Sequence, residues 1–228
     1  LRYVGRLTRP NSGVSPMQST AVKSVILSAA LALTAGSVSA QDSPWQFRLR
    51  GIGVVPDESA TITPINGDVD LTTAYVPEFD ITYFMNDNVA FELILATAKH
   101  EGTAVGTDAG DVDLGSVWLL PPTLTIQYHL APEGSFRPYI GAGANLTFFY
   151  NVEVPGTVVT DADYETAFGF ALQGGVDIPF GDGGWFFNAD VKKILLSTDV
   201  ALNAAAINAE VDINPWVIGA GFGVRLGR

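Results

Sequence analysis

Residues 214–226 have the sequence NPWVIGAGFGVRL, which shows the pattern that most strongly indicates the fold. Its even-numbered positions from Trp216 to Leu226 are all apolar, whereas its odd-numbered positions include three glycines and Arg225. A period of two is typical of a β-strand whose two faces meet different surroundings. Its thirteen residues exceed the usual strand length of about five or six, and about nine to eleven tilted residues cross a bilayer. The stretch therefore predicts a membrane-spanning strand with an apolar outer face.

The same pattern recurs upstream and predicts an all-β fold, an eight-stranded antiparallel transmembrane β-barrel with a polar interior. The predicted strands cover 45–55, 75–85, 89–98, 121–130, 136–150, 166–178, 185 to about 196, and 214–226. In the seventh strand the alternation loses phase at 193–196, which indicates a bulge or a strand that leaves the membrane there.

The connections between these strands alternate between short and long. Short turns are predicted at 86–88, 131–135 and 179–184, and long loops at 56–74, 99–120, 151–165 and 199–213. Barrels of this kind place their short turns in the periplasm and their long loops outside the cell. Both termini are therefore expected on the periplasmic side.

The N-terminal 40 residues are expected to precede the barrel. Residues 17–40 combine Met17, the basic Lys23, an apolar core and the small-residue site at 38–40, which is the pattern of a cleaved signal peptide. Residues 1–16 lack apolar periodicity and are interpreted as an untranslated or mis-assigned leader. The barrel is expected to span 41–228 and to lie in the outer membrane of a Gram-negative bacterium.

The composition excludes several classes of protein. The chain has 24 acidic and 12 basic residues, and only 8 of the basic ones lie in 41–228. Because phosphate binding needs a basic surface, no nucleic-acid partner is expected. The chain has no cysteine and hence no disulfide framework. After the signal peptide, no run of eighteen apolar residues predicts a transmembrane helix.

Charged residues on the inward face predict a network of ion pairs inside the barrel. A charged side chain that faces lipid costs about 2–4 kcal/mol near the bilayer midplane, so the charges of the strands must face inward. Neighbouring strands then place opposite charges side by side. The predicted network consists of Arg48, Arg50, Glu78, Asp80, Glu92, Lys192 and Arg225. One interpretation is a structural plug in a narrow barrel, and the other is a gate or a polar floor below a ligand pocket.

Apolar residues near the outer ends of the strands predict a second feature. They form part of the girdle at the membrane surface, or they line a hydrophobic entrance for a ligand. The candidate residues for the entrance are Ile52, Val54, Val117, Trp118, Leu119, Leu120 and Phe149.

No catalytic or metal site is expected. The two histidines, His100 and His129, belong to no recognisable arrangement of nucleophile and base. The acidic residues of the long loops, such as Asp108, Asp111 and Asp113, are not spaced as in a calcium-binding loop. They are interpreted as a solvated surface, or alternatively as groups that share divalent cations with lipopolysaccharide phosphates. No cofactor is expected.

Five segments in a fixed order carry a family resemblance. They are NVAFEL at 88–93, LPPTL at 120–124, FRPYIGAG at 136–143, GGVD at 174–177 and PWV at 215–217. With them the chain resembles the OmpW family of small outer-membrane proteins. The resemblance implies an eight-stranded barrel that admits small hydrophobic molecules and releases them sideways through its wall. Family members usually end on an aromatic residue that the outer-membrane assembly machinery reads, whereas Leu226 takes that place here.

The sequence thus favours passive passage of small hydrophobic molecules through a narrow, partly apolar lumen. The alternative is a structural or surface-interaction barrel with a sealed lumen, in which the extracellular loops carry the binding. The expected partners are outer-membrane lipid and lipopolysaccharide, hydrophobic solutes and the assembly machinery.

Overall fold

The computed structural model describes residues 43–64, 66–108, 110–203 and 206–227. These residues form an all-β structure, a closed antiparallel barrel of eight strands whose outer end is extended by further strands. No helix in the described ranges is long and apolar enough to span a membrane. The predicted leader and signal peptide, residues 1–40, lie outside the described residues.

The strands of the described residues follow one another with only short connections. They are β1 (Trp45–Val55), β2 (Ser59–Thr63), β3 (Asp68–Leu71), β4 (Ala74–Phe84), β5 (Val89–Ala96), β6 (Ala98–Thr107), β7 (Gly110–Leu120), β8 (Thr123–His129), β9 (Arg137–Glu153), β10 (Ala162–Tyr164), β11 (Ala167–Pro179), β12 (Trp185–Leu202), β13 (Ile207–Asp212) and β14 (Trp216–Arg225).

The barrel wall follows the order β1, β4, β5, β8, β9, β11, β12 and β14, and each neighbouring pair is antiparallel. The last strand returns to the first, with pairs from Gln46–Arg225 to Val55–Trp216, and so closes the ring. Each predicted strand starts within two residues of an observed one. The predicted eight-stranded barrel is confirmed, with its short turns in the periplasm and its long connections outside the cell.

The two faces of each strand meet different surroundings, as the alternation indicated. On β8, Leu124, Ile126 and Tyr128 are 54%, 54% and 48% exposed, whereas Thr125 and Gln127 between them are completely buried. The exposed side chains face lipid and the buried ones face the lumen, which is the arrangement of a membrane barrel.

The inward glycines of β14 leave room for large side chains in the lumen. Gly221 pairs with Arg50, and Gly223 pairs with Arg48. A Cβ atom at Gly223 would collide with the Phe186 ring. The inward face of β14 therefore carries glycines because large side chains pack over it.

The four long extracellular connections, predicted as loops, are built largely of strands. They form two sheets above the barrel: the first outer sheet contains β2, β13, β10 and the outer part of β12, and the second contains β3, β6, β7 and the outer part of β9. Their sequences are rich in Gly, Thr and Asp, which usually indicate turns. Pairing with neighbouring strands overrides that local preference, because β-propensity depends strongly on context.

The loss of phase predicted in the seventh strand is not a bulge. β12 runs without interruption from Trp185 to Leu202, and its pairing with β11 keeps one register through Lys193 and Ile194. Ile194 and Leu196 point inward, in phase with Lys192. In the sequence the alternation is interrupted after Lys192, because the inward residues of β12 change there from charged to apolar.

Candidate functional site

A layer of buried ion pairs crosses the lumen in the periplasmic half of the barrel. The Arg48 guanidinium lies 3.2 Å from Asp80 Oδ1, 2.9 Å from Glu92 Oε1 and 3.1 Å from Asp177 Oδ2. All four residues are buried. Asp177 belongs to β11, which is not a neighbour of β1 in the wall, so the Arg48 side chain reaches across the lumen.

Arg50 and Lys192 continue this ion-pair layer. Arg50 Nη2 lies 2.8 Å from both Glu78 Oε1 and Asp80 Oδ2. Lys192 Nζ donates to Glu78 Oε1 at 3.0 Å and to Asp190 Oδ1 at 2.7 Å. The buried charges therefore form one connected group. Removing one member of such a group costs about 3–5 kcal/mol, because its partners are left buried and uncompensated.

Above this layer, an apolar cavity of about 180 Å³ lies between the two outer sheets, and we call it the vestibule. Ile62 and Val200 line it from the first outer sheet, and Ala104 and Val117 line it from the second. All four are less than a tenth exposed. Since an apolar cavity of about 150 Å³ holds benzene, the vestibule has room for a compound with one ring.

A smaller cavity of about 50 Å³ lies between the vestibule and the ion-pair layer, and we call it the lower cavity. Its walls are mainly apolar and include Ile52, Val54 and Ile194. Glu78 and Lys192 of the ion-pair layer also line it. The lower cavity therefore has apolar sides and a charged floor.

Three residues line both cavities and form a neck between them, namely His100, Leu119 and Ile213. His100 Nδ1 lies 2.6 Å from the carbonyl oxygen of Thr72, just before β4. Because a carbonyl only accepts hydrogen bonds, Nδ1 carries the proton in the neutral ring. Burial lowers the pKa of His100 below 6.5, although the Thr72 carbonyl and the charge of Glu58 act in the opposite direction. His100 is therefore neutral at pH 7.

Beside the lower cavity, the strand pairing in the wall is interrupted where β5 continues into β6 and β7 continues into β8. The ladder of β5 and β8 ends at the Ile94–Thr123 pair, and the ladder of β6 and β7 starts at the Ala98–Leu119 pair. We call the intervening residues, 95–97 and 120–122, the seam. Pro121 and Pro122 have no N–H group to donate. The Thr97 hydroxyl bridges the seam by donating to the Leu119 carbonyl at 2.9 Å.

The connection at 154–161, between β9 and β10, covers part of the vestibule and is called the cover loop. Its Val159 is buried against the vestibule. The Asn203 side chain holds this loop: its Oδ1 accepts from the Thr160 N–H at 2.8 Å, and its Nδ2 donates to the Val158 carbonyl at 2.9 Å. The Asn203 side chain therefore makes several of the hydrogen bonds that hold the cover loop, beside the bond from its backbone N–H to the Asp161 carbonyl.

The sequence profile of the OmpW family matches residues 41–226, which is almost the whole of the described chain. The chain belongs to the OmpW family. It is 43% identical to the outer-membrane protein y4mB of Sinorhizobium fredii over 192 residues, 82% of each protein. It is 31% identical to the dibenzothiophene metabolism operon protein PahQ of Pseudomonas aeruginosa, over 81% of this chain and 89% of that protein.

The fold of this OmpW-family chain is similar to the crystal structure of the outer-membrane protein OprG from Pseudomonas aeruginosa. The TM-score is 0.74 at 23% identity, and the match covers 82% of this chain and 98% of OprG. Family membership and this shared fold place the protein in the outer membrane of a Gram-negative bacterium, where it contacts lipid.

The structure brings together most of the charged residues that the sequence singled out in this OmpW-family barrel. Arg48, Arg50, Glu78, Asp80, Glu92 and Lys192 all belong to the ion-pair layer. Arg225 lies two pairs closer to the periplasm than Arg48, opposite Gln46, with its guanidinium carbon 3.6 Å from the centre of the Phe84 ring.

The residues proposed for a hydrophobic entrance divide into two groups. Ile52 and Val54 line the lower cavity, Val117 and Phe149 line the vestibule, and Leu119 lines both. Trp118 and Leu120 line neither cavity, because neighbouring residues of a strand point to opposite faces. Trp118 instead packs near Tyr150 with 6.2 Å between ring centres.

Sequence reasoning missed several members of the ion-pair layer. Asp177, Asn188, Asp190 and Tyr139 face inward as predicted. Asp177 and Tyr139 lie on β11 and β9, which do not neighbour β1, whereas Asn188 and Asp190 lie on β12, the strand of Lys192. The Tyr139 hydroxyl donates to Asp190 Oδ2 at 2.7 Å, and Asn188 Oδ1 accepts from Arg50 at 3.1 Å. The predicted strand number could have revealed these contacts, because a barrel of eight strands is narrow enough for an arginine side chain to reach across its lumen.

The acidic residues of the second long connection have local roles. Asp108 accepts from the Asn66 side chain, Asp111 from the Gly106 N–H and Asp113 from the Gly115 N–H. Each stabilises a turn or connection near the β6–β7 hairpin. All three residues are exposed.

Proposed function

We propose that this OmpW-family protein gives small hydrophobic molecules passive, non-catalytic passage across the outer membrane. The observation that carries the proposal is the order of the spaces in the lumen: an apolar vestibule, a neck, and a smaller apolar cavity above a charged floor. Apolar solutes gain free energy on leaving water for such surfaces.

The ion-pair layer makes further movement toward the periplasm unfavourable for these solutes. Opening a path through it requires the separation of Arg48, Arg50 and Lys192 from their buried carboxylates. The seam offers a different way out, because Ala96, Pro121 and Thr123 line the lower cavity beside it. We therefore propose release sideways into the membrane, as the family resemblance implied.

The name of one relative supports the proposal that the solute is apolar. PahQ is named as a protein of a dibenzothiophene metabolism operon, and dibenzothiophene is a hydrophobic aromatic compound. At 31% identity over most of both chains, a related solute class is proposed for this protein. Lipopolysaccharide contact and insertion by the outer-membrane assembly machinery remain proposals as well.

A disulfide across the seam tests this route. The ladders on both sides of the seam keep the same register, so Ala96 and Pro121 face each other across it. The protein has no cysteine, and the double variant Ala96→Cys/Pro121→Cys therefore has a single possible internal disulfide. Toluene uptake is measured with labelled toluene in cells that lack general porins and their own OmpW-family proteins.

The proposal expects the oxidised variant to lose most of the toluene uptake and to regain it on reduction. The matched control is Val54→Cys/Val217→Cys, a pair in the intact β1–β14 ladder that also lines the lower cavity. Oxidation of this control should leave uptake unchanged. Equal uptake by the oxidised and reduced seam variants would reject release through the seam.

The second candidate is a surface-interaction barrel with a sealed lumen. The observation that favours it is the ion-pair layer, which connects side chains from several strands into one buried group. If cells with the wild-type protein take up toluene no faster than cells without it, this second function replaces the first.

A further inference from the structure

The neck between the two cavities contains a polar atom that has no partner among the described residues. His100 is 4% exposed, and its Nδ1 donates to the Thr72 carbonyl. Its other ring nitrogen, Nε2, makes no hydrogen bond within the part of the chain that the structure describes. In the neutral ring that has its proton on Nδ1, Nε2 is a hydrogen-bond acceptor.

The surroundings of this acceptor are mainly apolar, and the other polar side chains that line the vestibule are Tyr164 and Thr198. Leu119 and Ile213 share the neck with it, and they offer no polar side-chain atom. In the vestibule, the Thr198 hydroxyl already donates to the Glu165 carbonyl at 2.9 Å. Because no described protein group donates to it, this acceptor is available to a hydrogen-bond donor that enters the neck.

The geometry points to His100 as a recognition residue that accepts a hydrogen bond from the solute in the neck. The solute class is then a small, mainly apolar molecule with one hydrogen-bond donor, such as a phenol or a short alcohol with an apolar body. This inference rests on the proposed passage of hydrophobic molecules and narrows its substrate class. The ring of a phenol fits the volume of the vestibule, and its hydroxyl group reaches the neck.

The charge state of the ring agrees with an acceptor role. Burial lowers the pKa of His100, so the neutral form dominates at pH 7. The charged group that acts on His100 is Glu58, whose Oε1 accepts from the Leu71 N–H at 2.8 Å. The opposite wall of the neck contributes Leu119 and Ile213, which do not titrate.

A direct test follows the ring nitrogens by nitrogen NMR in the wild-type protein in lipid nanodiscs. The chain has only two histidines, so histidine labelling with ¹⁵N reports on His100 and on His129 as an internal control. We expect p-cresol at pH 7.5 to shift the Nε2 resonance of His100, whereas toluene at the same concentration leaves it in place. The resonance of His129 should not move with either compound. An Nε2 resonance of His100 that p-cresol does not move overturns the inference.

Uptake of the same two compounds provides a second test, in cells that lack general porins. In the variant His100→Phe, which keeps a ring but has no acceptor, the ratio of p-cresol uptake to toluene uptake should fall about fivefold, the worth of one neutral hydrogen bond. His100→Gln, which keeps an acceptor, should recover part of the ratio. Heat-dependent gel mobility checks that each barrel is folded.

The two proposals fail in different ways. An unchanged ratio in His100→Phe removes the recognition role of His100 but leaves passive passage intact. Absence of toluene uptake by the wild-type protein removes the proposed function, whereas the NMR experiment still decides whether His100 accepts a hydrogen bond from p-cresol.

Discussion

On β1, the inward positions Arg48 and Arg50 are followed on the same face by Ile52 and Val54. β12 repeats this change, from Asp190 and Lys192 to Ile194 and Leu196. The periplasmic half of the lumen is held by ion pairs, and the outer half is held by apolar contacts. Inward-facing positions are therefore not all polar in this barrel, although they share one period of two.

The two halves also differ in what they permit. The ion-pair layer is specific in geometry, because each charge needs its partners within hydrogen-bonding distance. Apolar contacts are not directional, so the outer half tolerates a space between its walls.

The largest effect is expected from Arg48→Met, which leaves Asp80, Glu92 and Asp177 without one of their cations. The free energy of unfolding in lipid, measured by urea titration, should fall by about 3–5 kcal/mol. The control Lys99→Met removes a cation from an exposed pair with Glu153 and should leave the free energy of unfolding almost unchanged, because solvent screens surface ion pairs. Similar losses in both variants would contradict the difference between the lumen and the surface.

A charge placed in the outer half should block passage. Val117→Asp puts a carboxylate on the wall of the vestibule, and we expect toluene uptake to fall at least about tenfold, because an unpaired charge among apolar groups attracts water and excludes the solute. Val152→Asp makes the same change at an exposed position of β9 and should retain the wild-type rate. A similar decrease in both variants would argue against passage through the vestibule.

A smaller effect is expected at the cover loop. Asn203 has a φ of 52°, so Asn203→Gly keeps the backbone conformation but removes the amide that holds Thr160 and Val158. Hydrogen exchange at the Thr160 amide should accelerate about tenfold or more, since the loss of hydrogen bonds of about 1 kcal/mol each favours opening. Asn151→Gly, at a φ of 51°, is the matched control. Unchanged exchange in Asn203→Gly would show that other contacts hold the loop.

The smallest effect concerns pH. Because burial lowers the pKa of His100 in the folded protein, the unfolded chain binds a proton more readily. The free energy of unfolding should therefore decrease as the pH falls below 6.5, and the loss should be complete once the folded form is also protonated. The measurement compares urea titrations of wild type and His100→Phe between pH 8 and pH 5. If the free energies of unfolding of wild type and His100→Phe change with pH in the same way, groups other than His100 cause the pH dependence.

Much of this site was within reach of sequence reasoning, and the limits have physical causes. Arg48 and Glu78 were found because a charge on a lipid-crossing strand must face inward. Asp177 was assigned inward but not to the network, because its contact with Arg48 across the lumen depends on the width of the closed ring. Asp190 was within reach of the sequence, since it lies two residues before Lys192 on the same face of β12. His100 was seen only as a loop histidine, since its strand β6 and its contact with Thr72 arise from pairing in the second outer sheet.

The amino-acid pattern alone was enough to predict the number of wall strands, the face that each strand presents to lipid and the family of the protein. These properties follow from the period of two and from the cost of polar groups in lipid, which act residue by residue. Three features are visible only in the folded protein: the long connections form two outer sheets, an apolar vestibule lies between these sheets, and His100 lies at the neck. These features depend on residues far apart in sequence, which meet only when the ring has closed.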